Sequence, residues 1–69
     1  MKEVLKAIEN NKARLVGEGN WRKDSAYQVY EFEGKFYAIV IYDWQNKWLM
    51  DDTLIEIQES EITKYVEIS

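Results

Sequence analysis

Two runs of aromatic and β-branched residues, "AYQVYEF" (26–32) and "KFYAIVIY" (35–42), stand on either side of Glu33-Gly34. No other feature of the chain constrains its fold as tightly. Such runs, divided by a short Gly-containing break, read as an antiparallel hairpin. A two-residue type I′ turn needs positive φ at both central positions, a poor setting for Glu. The spacing therefore predicts a three-residue loop, Phe32-Glu33-Gly34, with Gly34 left-handed in a bulge. In that register Glu31 faces Lys35, Val29 faces Tyr37 and Tyr30 faces Phe36, one opposite-charge pair and two apolar pairs. Tyr27, Val29, Tyr37, Ile39 and Ile41 then share one face, and Gln28, Tyr30, Phe36, Ala38, Val40 and Tyr42 the other. Both faces are largely apolar, so the hairpin is central and something must cover each side.

The flanking segments supply candidates for that cover. In residues 2–11, Val4, Leu5 and Ile8 fall on one side of a helix with Ala7 beside them, and Lys2, Glu3, Lys6 and Glu9 take the other. Asn10-Asn11 is a suitable stop, because Asn tolerates a left-handed cap. "ARLV" (13–16) reads as a short strand and "GEGN" (17–20) as a turn. Gln45-Asn46 reads as a second turn, which makes "KWLM" (47–50) a strand, and Asp51-Asp52 breaks the pattern. "TLIEIQ" (53–58) and "EITKYVEI" (61–68) read as two further strands, since β-branched residues dominate. A helix is the competing reading of 53–66: Leu54, Ile57, Glu61, Ile62 and Tyr65 approximate a 3.6-residue period, with Asp52 as N-cap. The expected fold is α+β, a single domain over 1–69 with a short N-terminal helix on a curved antiparallel sheet of four to five strands.

With 69 residues, the chain can bury only about 60% of its unfolded surface. It contains neither Cys nor His, which excludes disulfides and the usual structural zinc site. Stability must come from the apolar 46% of the chain or from a partner. The opening "MKEVLKAIEN" is interrupted by charge every two or three residues, unlike a signal peptide, and no apolar run approaches the ~20 residues of a membrane span. A cytoplasmic location is the expectation.

The same inventory narrows the chemistry. Without His no Ser-His pair can form, so no catalytic residue and no enzyme activity is assigned. Asp51-Asp52 lacks the calcium-loop pattern and reads as a solvated turn. Gly17-Glu18-Gly19 lacks the third Gly and the following helix of a dinucleotide fingerprint, and reads as turn residues. No metal and no cofactor is expected. Trp21-Arg22-Lys23, with Lys12 and Arg14, is the one basic spot. Phosphate neutralisation needs more than this, which argues against nucleic acid. Net charge is −4, with residues 1–35 at +1 and residues 36–69 at −5. Such asymmetry favours a basic partner. Glu59 and Glu61, like Glu31 and Glu33, would lie about 6.6 Å apart in an extended chain, a spacing able to imitate nucleic-acid phosphates.

The stretch "IYDWQNKWLM" (41–50) gathers Tyr42, Trp44 and Trp48. Ten aromatics are hard to hide in so small a fold, and Trp and Tyr are enriched at binding hot spots. The opening "KEVLKAIENNKARLVGEGNW" is similar to the openings of small phage and prophage proteins, in which a short helix precedes a strand and then a Trp. The resemblance covers less than a third of the chain and carries no site residue. It implies a binding role directed at a host or a defence system. The expected function is non-catalytic protein binding, as a small acidic inhibitor or regulator of phage or mobile-element type. Trp21, Tyr42, Trp44, Trp48, Asp51, Asp52, Glu59 and Glu61 are the candidate partner-binding residues. Homodimerisation is a simple variant, because a two-sided apolar hairpin calls for a second cover. The alternative is a small-ligand or nucleotide binder using the Trp/Tyr cluster.

Overall fold

The computed structural model describes residues 2–22, 25–42 and 48–66, and the side chains of these apart from residues 21, 22 and 48–50. Helix α1 (Lys2–Glu9) is followed by strands β1 (Arg14–Arg22), β2 (Ser25–Phe32), β3 (Lys35–Tyr42) and β4 (Trp48–Ile57), and then by a 3₁₀ helix (Glu59–Lys64). The strands form one antiparallel sheet in the order β1-β2-β3-β4. The α+β expectation holds, with four strands.

Helix α1 ends as its two asparagines suggest. Asn11 takes φ 59°. The Lys12 N–H donates to the Ala7 carbonyl at 2.7 Å, and the Asn11 N–H to the Ile8 carbonyl at 3.3 Å. These are the two bonds of a Schellman cap. Val4 and Ile8 are buried against Tyr37, Ile39, Ile41 and Leu54, with Tyr30 and Phe32 at the margin. The helix therefore covers one face of the β2–β3 hairpin.

That face is not the one the expected register creates. β2 and β3 pair as Tyr30↔Tyr37, Val29↔Ala38 and Phe32↔Lys35, with a two-residue turn at Glu33-Gly34. Glu33 (φ 53°) and Gly34 (φ 77°) both adopt positive φ, as a type I′ turn requires. Glu accepts a left-handed conformation here at a cost of roughly 1–2 kcal/mol. The return is the correct partition of side chains. A one-residue slip sends one whole strand's side chains to the opposite face. In the observed register Tyr30 joins Tyr37, Ile39 and Ile41 under α1, and Val29 joins Ala38 and Phe36 on the second face.

The second face is covered by the C-terminal residues. Ile62 and Val66 are buried against Val29, Ala38 and Ile57, and Tyr65 meets Tyr27 edge-to-face with ring centroids 5.2 Å apart. Residues 61–66 are thus neither the expected strand nor part of an α-helix starting at Asp52. A fifth strand beside β4 would have left Ile62 and Val66 away from the apolar centre of the sheet, whereas the 3₁₀ helix and the turn after it bring both onto it. The cover that the two-sided hairpin demands comes from the chain itself.

Gly17 and Gly19 lie within β1 and are not turn residues. They allow the C-terminal segment to approach the strand. A Cβ at Gly19 would stand 2.1 Å from the Tyr65 carbonyl oxygen and 2.8 Å from Val66 Cα, and one at Gly17 would stand 3.1 Å from Val66 Cγ2. β1 also carries register shifts between Leu15 and Gly17 and between Asn20 and Arg22, the signature of bulges. Its start is tied to β2 by Arg14, whose Nε and Nη2 both donate to Glu31 Oε1 at 2.8 and 2.6 Å. The pair is exposed and contributes at most about 1 kcal/mol. Residues 48–50 of the expected strand "KWLM" and 53–57 of "TLIEIQ" belong to one strand, β4, and Lys47 falls outside the described residues. The expected turn at Gln45-Asn46 falls outside the described residues.

Three substitutions test this account of the fold. Gly19→Ala forces backbone away from backbone and should lift Ile62 and Val66 off the sheet, costing about 3 kcal/mol in urea unfolding. Gly17→Ala meets only a side-chain methyl and should cost about 1 kcal/mol. Glu33→Gly removes left-handed strain and should raise the urea midpoint by the equivalent of about 0.5–1 kcal/mol.

Candidate functional site

The ladder shows where the candidate residues lie. Arg22 pairs with Ser25, Ser25 with Tyr42, and Tyr42 with Trp48. One row across the sheet thus brings the end of β1, where Trp21 sits in the bulge before Arg22, to the same end as Tyr42 and Trp48. Strands are about 4.8 Å apart, so the row spans roughly 14 Å. Tyr42 is 51% exposed. Trp44 lies outside the described residues.

The acidic residues do not join this end. Between Ala38↔Ile55 and Val40↔Met50, β3 advances two residues while β4 advances five. Asp51 and Asp52, both exposed, lie in this irregular stretch. The chain resumes its register through Thr53, whose Oγ1 accepts a 2.9 Å hydrogen bond from the Val40 N–H. A side chain thus satisfies the amide, and the strand crosses the interruption without an orphaned donor. Leu54, the next residue, is buried in the α1-facing core. Among the described residues no three His, Cys, Asp or Glu side chains group so as to hold a metal ion.

Glu59 and Glu61 lie at the far end of β4, roughly 20 Å along the sheet from Tyr42. They occupy the 3₁₀ helix, so the extended spacing expected for them does not occur. Glu61 Oε1 accepts the Gln58 N–H at 3.1 Å, which helps start that helix. Glu59 is exposed. The eight candidates therefore divide into an aromatic end, a central pair of aspartates and a distal pair of glutamates.

β4 also presents two residues that the sequence reading left out. Ile55 is 43% exposed, and Glu56 is exposed with Lys35 Nζ 3.9 Å away. The signal for Ile55 is its place in "TLIEIQ". Ile55 and Ile57 share a face by alternation, yet only Ile57 packs against Ile62. The C-terminal cover stops short of Ile55.

A partly buried polar pair lies on the α1-facing side. The Tyr30 O–H donates to Gln28 Oε1 at 2.5 Å, and Gln28 is buried. Burial pushes the Tyr30 phenol above its ordinary value, and the Glu18 carboxylate adds to that shift. The arrangement satisfies a buried amide oxygen. No protein-family model, curated protein or solved structure matches the chain. No helix among the described residues is long and apolar enough to cross a membrane.

The tyrosine shift has a consequence for alkaline stability. The folded state holds the phenol proton more tightly than the unfolded chain does, so stability falls as pH rises above the ordinary tyrosine value of about 10. Tyr30→Phe should cost about 1 kcal/mol at neutral pH by orphaning Gln28 Oε1. Its deficit against the wild type should narrow above pH ~10, as followed by urea unfolding across that range.

Proposed function

We propose that this chain is a non-catalytic protein-binding module, a small acidic inhibitor or regulator that engages a basic partner. The observation that carries the reading is the free-edge strand β4, on which Asp51, Asp52 and Glu56 are all exposed, with the exposed aliphatic side chain of Ile55 among them. Among the described residues Lys35 pairs with Glu56, 3.9 Å away. Charge on one side of a small molecule draws an oppositely charged partner from a distance and orients it. Ile55 and Tyr42 add apolar contact once the surfaces meet. Glu59 extends the acidic surface beyond the strand.

The aromatic end favours a second reading, a small-ligand or nucleotide site. The cross-strand row that collects Trp21, Tyr42 and Trp48 supports it. Under that reading, titration with free nucleotides changes tryptophan fluorescence in the absence of any protein.

The acidic reading is tested by capturing partners from host lysate, identifying them by mass spectrometry and measuring their affinity at two salt concentrations. Neutralising Asp51, Asp52 and Glu56 together (Asp→Asn, Glu→Gln) should weaken binding about tenfold, since three exposed charge pairs at about 0.5 kcal/mol each sum to roughly that factor. High salt should weaken the wild type and leave the variant little changed. Affinity indifferent to both changes would remove the basis for the proposal.

A further inference from the structure

The outer side of β4 is a backbone edge as well as a charged one. β4 ends the sheet, and among the described residues no strand pairs with its outer side. Along an antiparallel edge, alternate residues direct their N–H and C=O groups outward. The edge has two parts. Around Asp51-Asp52 the three surplus residues interrupt the ladder, and such an interruption turns an edge away from an incoming strand. Leu54–Ile57 is different. Its residues Ile55–Ile57 run in regular register opposite Phe36–Ala38, with Leu54 at the margin of the interruption. Leu54 and Ile57 are buried, while Ile55 and Glu56 are exposed. Successive side chains alternate between faces, so this part of the edge shows an aliphatic group on one face and a carboxylate on the other.

We propose that Leu54–Ile57 accepts an extended segment of the partner as a fifth strand, in which basic residues alternate with aliphatic ones. The proposal rests on the acidic protein-binding reading and specifies the partner's chemistry. Strand addition takes its affinity from main-chain hydrogen bonds and its specificity from alternate side chains. A residue opposite Glu56 brings its Cβ to about 5 Å, within reach of a Lys or Arg charge. Lys35 already meets Glu56 from the β3 side, 3.9 Å away, and a partner cation meets it from the open side. An aliphatic residue on the other face covers Ile55. A second copy of this chain is a poor occupant. Two β4 edges laid together bring six exposed carboxylates, Asp51, Asp52 and Glu56 of each copy, onto one seam, and such like charge opposes the pairing.

The test uses the full chain, isotope-labelled, with two synthetic peptides of identical composition. In one, lysine and valine alternate; in the other, the lysines are contiguous. The alternating peptide should shift the amides of 54–57 and slow hydrogen exchange at their outward N–H groups at least tenfold. Glu56→Gln and Ile55→Ser should each weaken it several-fold, with the circular dichroism of the free protein unchanged. Equal binding of both peptides without slowed exchange at 54–57 overturns strand addition, and leaves a purely electrostatic acidic surface in place. Binding of neither peptide also overturns strand addition; the acidic reading is then decided by the partner's response to salt and neutralisation.

Discussion

Both faces of the β2–β3 hairpin are apolar, and the rest of the fold is organised by the need to cover them. Val29 and Ile39 lie on opposite sides of the sheet and each is 0% exposed. That state needs a separate cover on each side. The two ends of the chain provide them. α1 closes over Ile39, Ile41 and Tyr37, and Ile62 and Val66 close over Val29 and Ala38. Burying each large aliphatic contributes about 1.5–3 kcal/mol. In a chain without cysteine, and hence without a disulfide, neither cover is dispensable.

This arrangement determines what remains outside. The inner strands are enclosed, so surface chemistry falls on the edges and on the ends of the sheet. β4 has three exposed carboxylates and an exposed isoleucine. β1 is constrained differently, because Gly17 and Gly19 must stay bare to admit residues 65–66. Residues 65–66 thus lie over the face of β1, whereas the described C-terminal residues leave Ile55 on β4 exposed. The aromatic end lies some distance from the glutamates of the 3₁₀ helix, so ring contacts and distal charges cannot act on one small spot.

Much of this was legible in the residues. The helix and its asparagine stop, the central hairpin and the two-sided apolar pattern follow from local composition and periodicity, whereas Asp51-Asp52, expected to divide two strands, only shifts the register within β4. The hairpin register was not legible, because turn preference and face partition disagreed. Glu33 is a poor type I′ residue, yet burying Tyr30, Tyr37 and Ile39 together outweighs about 1–2 kcal/mol of local strain. The C-terminal segment was misread for a related reason. β-branched residues favour strands only where a strand can pair and pack, and Ile62 and Val66 found a better surface across the sheet. Gly17 and Gly19 were misread because close approach of distant chain leaves the same mark in a sequence as a turn. Of the candidate site, the acidic bias of the second half was plain; its concentration on one edge, and the exposure of Ile55 within it, depended on where the C-terminal cover stops.

The central claim, that residues 62–66 of the same chain lie against the sheet and seal its second face, with Val66 on β1, is open to one direct measurement. In a NOESY spectrum of the full chain, the Val66 methyl protons should show strong cross-peaks to the Hα protons of Gly17. An isotope-filtered sample mixing labelled and unlabelled chains should show those peaks to be intramolecular. If the peaks were absent, or arose between two copies, the second face would be covered by something other than this segment of the same chain.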